Sequence, residues 1–164
     1  MPLRRPIPAL AALLAFAALL AGPARAADPL PVPRFVSLRS GEVNVRTGPG
    51  ARYPVEWVFV RRHMPVEVVA ESDTWRKIRD AEGSEGWVHQ SMLTGKRALL
   101  VTGGVRTLRS GAGDTAPPVA LAEAGAMGWL KRCSGPWCEV ELAGYKGWLK
   151  REEFWGVYKD EAIE

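Results

Sequence analysis

The stretch NVRTGPG, Asn44 to Gly50, returns in altered form as TLRSGAG, Thr107 to Gly113, and this repetition constrains the chain more than any other feature. It sets Arg46 over Arg109, Gly48 over Gly111 and Gly50 over Gly113, each 63 residues apart. The register persists beyond the turn. Pro54 falls over Pro117 at the same offset, Trp75 over Trp137 at 62, and Gly86-Trp87 over Gly147-Trp148 at 61. Two repeats of about 60 residues are too few and too long for a solenoid, so each copy is expected to be a small domain with its own core.

Local signals within each copy are those of strands and turns. VEVVA (Val66 to Ala70) and CEVEL (Cys138 to Leu142) are short, β-branched or alternating, and bounded by Gly, Pro, Ser and Asp. DAEGSEG (Asp80 to Gly86) and AGYKG (Ala143 to Gly147) read as hairpin connections, each delivering the chain to a Gly-Trp step. The helix-like pieces are a turn near Val88 to Leu93 and its counterpart near Leu149 to Phe154. About five short strands in 60 residues imply a small closed barrel, because closure spares such a sheet its exposed edges.

The first residues stand outside this pattern. Arg4 and Arg5 precede an apolar run from Ile7 to Ala21 that ends in Gly22-Pro23-Ala24-Arg25-Ala26, the layout of a secretory signal peptide cleaved after Ala26. The run is shorter than the roughly 20 residues of a spanning helix, so no stable membrane insertion is expected after cleavage. Three of the 22 basic residues (Arg4, Arg5 and Arg25) and none of the 18 acidic residues leave with it, lowering the net charge from +4 to +1. A nearly neutral chain offers no electrostatic footprint for nucleic acid.

NVRTGPG followed by DTWRKI (Asp73 to Ile78) and EGWVHQSML (Glu85 to Leu93) resembles the bacterial SH3-like domain, usually written SH3b. The second copy, with TLRSGAG, GPWCEV (Gly135 to Val140) and KGWLKREEF (Lys146 to Phe154), is similar to a more divergent member. The fold class that the resemblance implies is all-β, two tandem small SH3-like β-barrels. The expected layout is a signal peptide over 1–26, an extended proline-containing lead-in over 27–33, barrels over 34–95 and 98–158, and a polar tail over 159–164. The resemblance also implies a non-catalytic binding module of the cell envelope, often involved with peptidoglycan or found beside wall-degrading enzymes. With the two copies taking up nearly all of the residues after 26, no catalytic domain is expected beside them.

In the turn itself, Gly48 and Gly50 can take positive φ at little steric cost, with Gly111 and Gly113 as the turn's counterparts in the second copy, while Pro49 presets φ near −65° and Asn44 can bond backbone close by. In an SH3-like barrel the loop after this turn forms one wall of the ligand groove. The residues expected there are Arg52, Tyr53 and Trp57, with Trp75 on the opposite wall. Such an aromatic groove suits either an extended, proline-rich peptide or the apolar face of a sugar. The corresponding loop of the second copy, GDTAPPVALA (Gly113 to Ala122), has no aromatic and leaves Asp114 as a candidate polar contact.

The remaining tryptophans divide by whether they recur. Trp87, in its Gly-Trp-Val step, is expected in the barrel core. Trp129 has no partner in the other copy and is a candidate for packing between the barrels, the alternative being cover by its own loop; Trp155 is expected to seal the end of the second barrel. The short linker TGKRALLV (Thr94 to Val101) favours packed barrels.

Cys133 and Cys138 enclose SGPW and are expected to form a disulfide worth roughly 2 kcal/mol by loop closure, whereas the first copy has Glu71 and Arg76 near these positions. With both thiols oxidised, and with His63 and His89 in the other copy, neither a metal site, a cofactor site nor a catalytic constellation is expected. VRR (Val60 to Arg62) and WRKIR (Trp75 to Arg79) make the first copy locally basic, either as a solvated face or as an attraction for acidic stem peptides or an acidic partner. The function expected is non-catalytic recognition in the periplasm or outside the cell, of peptidoglycan (stem peptide or glycan) through the first barrel. The alternative is a protein–protein adaptor that binds an extended segment of an envelope protein.

Overall fold

A computed structural model describes residues 30–164; the signal-peptide expectation lies outside them. Among the described residues, fourteen strands fall into two sets of seven. The first is β1 (Arg34–Leu38), β2 (Val43–Arg46), β3 (Val55–Phe59), β4 (Pro65–Ser72), β5 (Trp75–Arg79), β6 (Glu85–His89) and β7 (Leu93–Thr94). The second is β8 (Ala98–Val101), β9 (Arg106–Arg109), β10 (Pro118–Ala122), β11 (Met127–Ser134), β12 (Trp137–Leu142), β13 (Tyr145–Lys150) and β14 (Phe154–Trp155). Each set makes one antiparallel sheet, in the orders β3-β2-β6-β5-β4-β1-β7 and β10-β9-β13-β12-β11-β8-β14. Every strand of the second sheet thus occupies the place of the strand seven earlier. The helix-like pieces are single 3-10 turns, Gln90–Met92 and Arg151–Glu153.

Each sheet curls around its own core. Val36, Leu38, Val45, Val66, Ile78 and Val88 are among the buried residues of the first, and Leu99, Leu108, Val140, Leu142, Leu149 and Phe154 among those of the second. The long strands β4 and β11 carry register shifts at equivalent places, Val68/Ala70 and Leu130/Arg132. A bulge there bends the strand so that its two halves serve opposite sides of a small barrel.

The Gly-Trp steps work differently from expectation. Gly86 and Val88 are buried while Trp87 is only half-buried, because alternation along β6 sends glycine and valine inward and tryptophan outward. Glycine is needed at the inward position because a β-carbon on Gly86 would overlap Val45 Cγ1. At Gly147 it would come within 2.6 Å of the Arg109 carbonyl oxygen.

Cys133 and Cys138 are bonded, at directly opposed positions of β11 and β12. The same cross-strand positions in the first barrel hold Glu71 and Arg76, whose ion pair spans 3.0 Å. One copy staples this hairpin covalently and the other by charge.

Residues Pro31–Glu164 form one compact unit. Trp155 does not seal the second barrel: it packs edge-on against Phe35 of the first, ring centroids 4.9 Å apart. Tyr158 lies 4.7 Å from the same ring and donates from its hydroxyl to the buried Glu67 carboxylate at 2.7 Å. Elsewhere along the contact Trp129 lies 4.6 Å from the His63 ring, with Lys96 Nζ 3.5 Å from its centroid, and Arg61 donates to the Gly125 carbonyl at 2.8 Å. The polar tail over 159–164 is tied down. The Arg97 guanidinium grips both oxygens of Glu161, Cys133 N–H donates to the Ile163 carbonyl at 3.0 Å, and Ile163 packs on the second core.

Candidate functional site

The repeated turn is built by the same bonds in both copies. Gly50 N–H donates to Gly48 O (3.0 Å), Tyr53 N–H to Gly50 O (3.1 Å) and Thr47 N–H to Pro54 O (3.1 Å). Their counterparts run from Gly113 to Gly111 (3.0 Å), Ala116 to Gly113 (3.2 Å) and Ser110 to Pro117 (2.9 Å). None of Gly48, Gly50, Gly111 and Gly113 uses the positive φ open to glycine. Gly48 is required for another reason: the Tyr53 ring lies on it, and a β-carbon would sit 2.5 Å from Tyr53 Cδ1. Pro49 spans the tight Gly48–Gly50 turn, whereas Asn44 projects exposed from β2 and makes no side-chain hydrogen bond among the described residues.

Closure of the loop falls to a residue given no role from sequence. Arg46 donates to the Tyr53 carbonyl at 2.7 Å, and Arg109 to the Ala116 carbonyl at 2.9 Å. A charge-assisted bond seven residues along the chain clasps each loop shut. The recurrence of this arginine beside the recurring glycines was its signal.

Two of the four groove residues adjoin this turn. Arg52 donates to the Tyr53 hydroxyl at 3.3 Å and lies 5.1 Å from its ring centroid, both at the protein surface. Trp57, partly buried, pairs with Val45 across β3 and β2, packs on the first core, and meets Phe59 edge-on at 6.1 Å. Trp75 lines a separate hollow of about 180 Å³ with Glu42, Asn44, Arg46, His89 and Met92. His89 stands opposite Trp75 in the β5–β6 register, edge-on at 5.5 Å, its Nδ1 held 2.7 Å from Ser91 Oγ. Arg46 alone joins the two places, lining the hollow while clasping Tyr53.

The model of the bacterial SH3 domain matches residues 39–95 and 105–156, together more than half of the chain. The chain belongs to the bacterial SH3 domain family. Both of its bacterial SH3 domains show the features described, the clasped turn and the buried glycine of the Gly-Trp step. No curated protein matches the chain. Among solved structures it is similar to NlpC1 from Trichomonas vaginalis at 11% identity and a TM-score of 0.35, over 80% of this chain and 49% of that one. It is also similar to NlpC2 from the same organism at 9% identity and a TM-score of 0.36, over 81% of this chain and 51% of the other. The chain thus spans about half the length of the structures it matches.

The second bacterial SH3 domain carries the larger concavity, about 1050 Å³, around Trp137, which is the repeat of Trp75. Lys150, at the repeat position of His89, sits there with its Nζ 2.8 Å from Asp114 and 5.3 Å from the Trp137 centroid. The hydrogen bond to Asp114 raises the Lys150 ammonium above its ordinary pKa. Cys133, Pro136, Val157 and Ala162 add apolar wall, so the pinned C-terminal segment forms one side of this cavity.

Proposed function

We propose that this protein is an exported, non-catalytic binding module of the bacterial cell envelope that recognises peptidoglycan through the Trp75 hollow of its first domain. The observation that carries this reading is the convergence there of an aromatic pair, Trp75 and His89, with the polar groups of Asn44, Arg46 and Glu42. A half-buried indole offers a flat apolar platform for a sugar face or an extended peptide, and the surrounding amide, guanidinium and carboxylate can bond its hydroxyls or amides. The signal-like residues 1–26 and membership of the bacterial SH3 domain family support an envelope setting.

Co-sedimentation with isolated wall sacculi tests it. The purified protein is expected to pellet with sacculi, and Trp75→Ala to pellet at least about tenfold less, the usual cost of truncating an aromatic anchor. Binding that survives in Trp75→Ala would refute the hollow as the site. A second reading, an adaptor for a partner protein, is favoured by β3, an edge strand with Val55 and Val58 exposed, which can accept an extended segment as an added strand. That reading expects no pelleting and a defined crosslinked partner.

A further inference from the structure

The seat over Trp137 is occupied by the chain's own lysine. Lys150 Nζ meets Asp114 Oδ1 at 2.8 Å at the edge of the 1050 Å³ cavity, and both partners remain wet, the Asp114 side chain 71% and Lys150 32% exposed. An ion pair so exposed adds little to stability and exchanges readily. A carboxylate beside an aromatic ring is, in general, a receptor for an ammonium group. We propose that the second domain binds an extended peptide through a lysine-type primary ammonium side chain, which enters the cavity, displaces Lys150 from Asp114 and takes its place over Trp137.

The walls fit such a ligand. Pro136, Val157 and Ala162 offer apolar surface to the methylenes and backbone. The lining carries the carboxylates Asp114, Glu152, Asp160 and Glu161 against the cations Lys150, Arg151 and Lys159, with Arg151 already donating to the Gly135 and Tyr158 carbonyls. The volume is at the upper end of the roughly 300–1000 Å³ common for ligand sites and so admits more than one residue. The first domain lacks this seat. Ala51 stands at the repeat position of Asp114 and His89 at that of Lys150, and its hollow is about 180 Å³. The two domains therefore select different chemistry, and this inference stands apart from the Trp75 reading because no residue is shared.

The experiment is a titration of the isotope-labelled full chain with Ala-Lys-Ala, blocked at both ends, and with the same peptide acetylated on the lysine side chain. The lysine peptide is expected to shift the Trp137 indole N–H resonance saturably, and the acetylated peptide to leave it unmoved. Asp114→Asn should weaken binding about tenfold, as expected for loss of one charge-assisted hydrogen bond, whereas Lys150→Met, which removes the internal competitor, should tighten it about threefold. Asp114 is exposed and Lys150 half-buried, and the unbranched methionine keeps the length and apolar stem of Lys150, so both variants are expected to fold. Absence of a saturable shift, an equal response to the acetylated peptide, or weaker binding by Lys150→Met would overturn the proposal. Trp75→Ala should bind the peptide unchanged, and its loss of binding would overturn the assignment to the second domain.

Discussion

A β-carbon added at Gly147 would lie 2.6 Å from both the Arg109 carbonyl oxygen and Leu108 Cγ, whereas one added at Gly113 would meet nothing within 4 Å. Neither residue has positive φ, so the difference is one of space alone. Gly147→Ala is expected to cost about 1–3 kcal/mol by overpacking, and Gly113→Ala to change stability by less than about 0.5 kcal/mol. Thermal or denaturant unfolding of the two variants checks this, and equal tolerance would refute it. The same contrast explains what was legible residue by residue. The repeating glycines announced a tight turn correctly. Their reason was hidden, because the crowding on Gly48 comes from the Tyr53 ring, which follows only once the loop is folded. The packing of Trp57 was hidden for a similar cause. Its neighbours Glu56 and Val58 are exposed, and only the pairing of β3 with β2 turns the indole toward the core.

At the scale of elements, the β11–β12 hairpin is closed by the Cys133–Cys138 bond, and its first strand, β11, also holds the C-terminal segment through Cys133 N–H. The double variant Cys133→Ser, Cys138→Ser should lose about 2 kcal/mol of stability, the closure entropy of a six-residue loop. Denaturant unfolding against the parent measures this, and an unchanged midpoint would show that β-sheet pairing alone sets the hairpin. The hairpins and the all-β class could be read from the sequence, because alternation and turn residues act over a few positions. The strand count could not: about five per copy were expected and seven are found, the last of each copy being a two-residue strand too short to show a pattern. The equivalence of the two sheets, strand for strand, followed from the offsets of 61 to 63. Which element would fix residues 159–164 could not be read, since Glu161 finds Arg97 across 64 residues.

For the whole molecule, the two barrels meet through Phe35, Trp155 and Tyr158 and again through His63, Trp129 and Lys96. Neither cluster recurs in the repeat, so the aromatic surplus marked them without showing their partners. Burial, aided by the positive charges of Arg62 and Lys96, pushes the His63 imidazole below its ordinary pKa of 6.5. The unfolded chain therefore takes up this proton first, and stability present above pH 6.5 is lost as pH falls through the lower folded value. Nuclear magnetic resonance titration should give His63 a midpoint under 6.5, with the Trp129 indole shifting alongside; a midpoint at or above 6.5 would refute it. The matched hairpins carry a different consequence for the intact protein. Glu71–Arg76 in one barrel and Cys133–Cys138 in the other fasten the same two strands by means that answer to different solutes. Dissolved salt screens the first and leaves the second intact, while a thiol reductant cuts the second and ignores the first. Duplication has thus left the same hairpin with two fastenings, one that answers to ionic strength and one that answers to redox conditions.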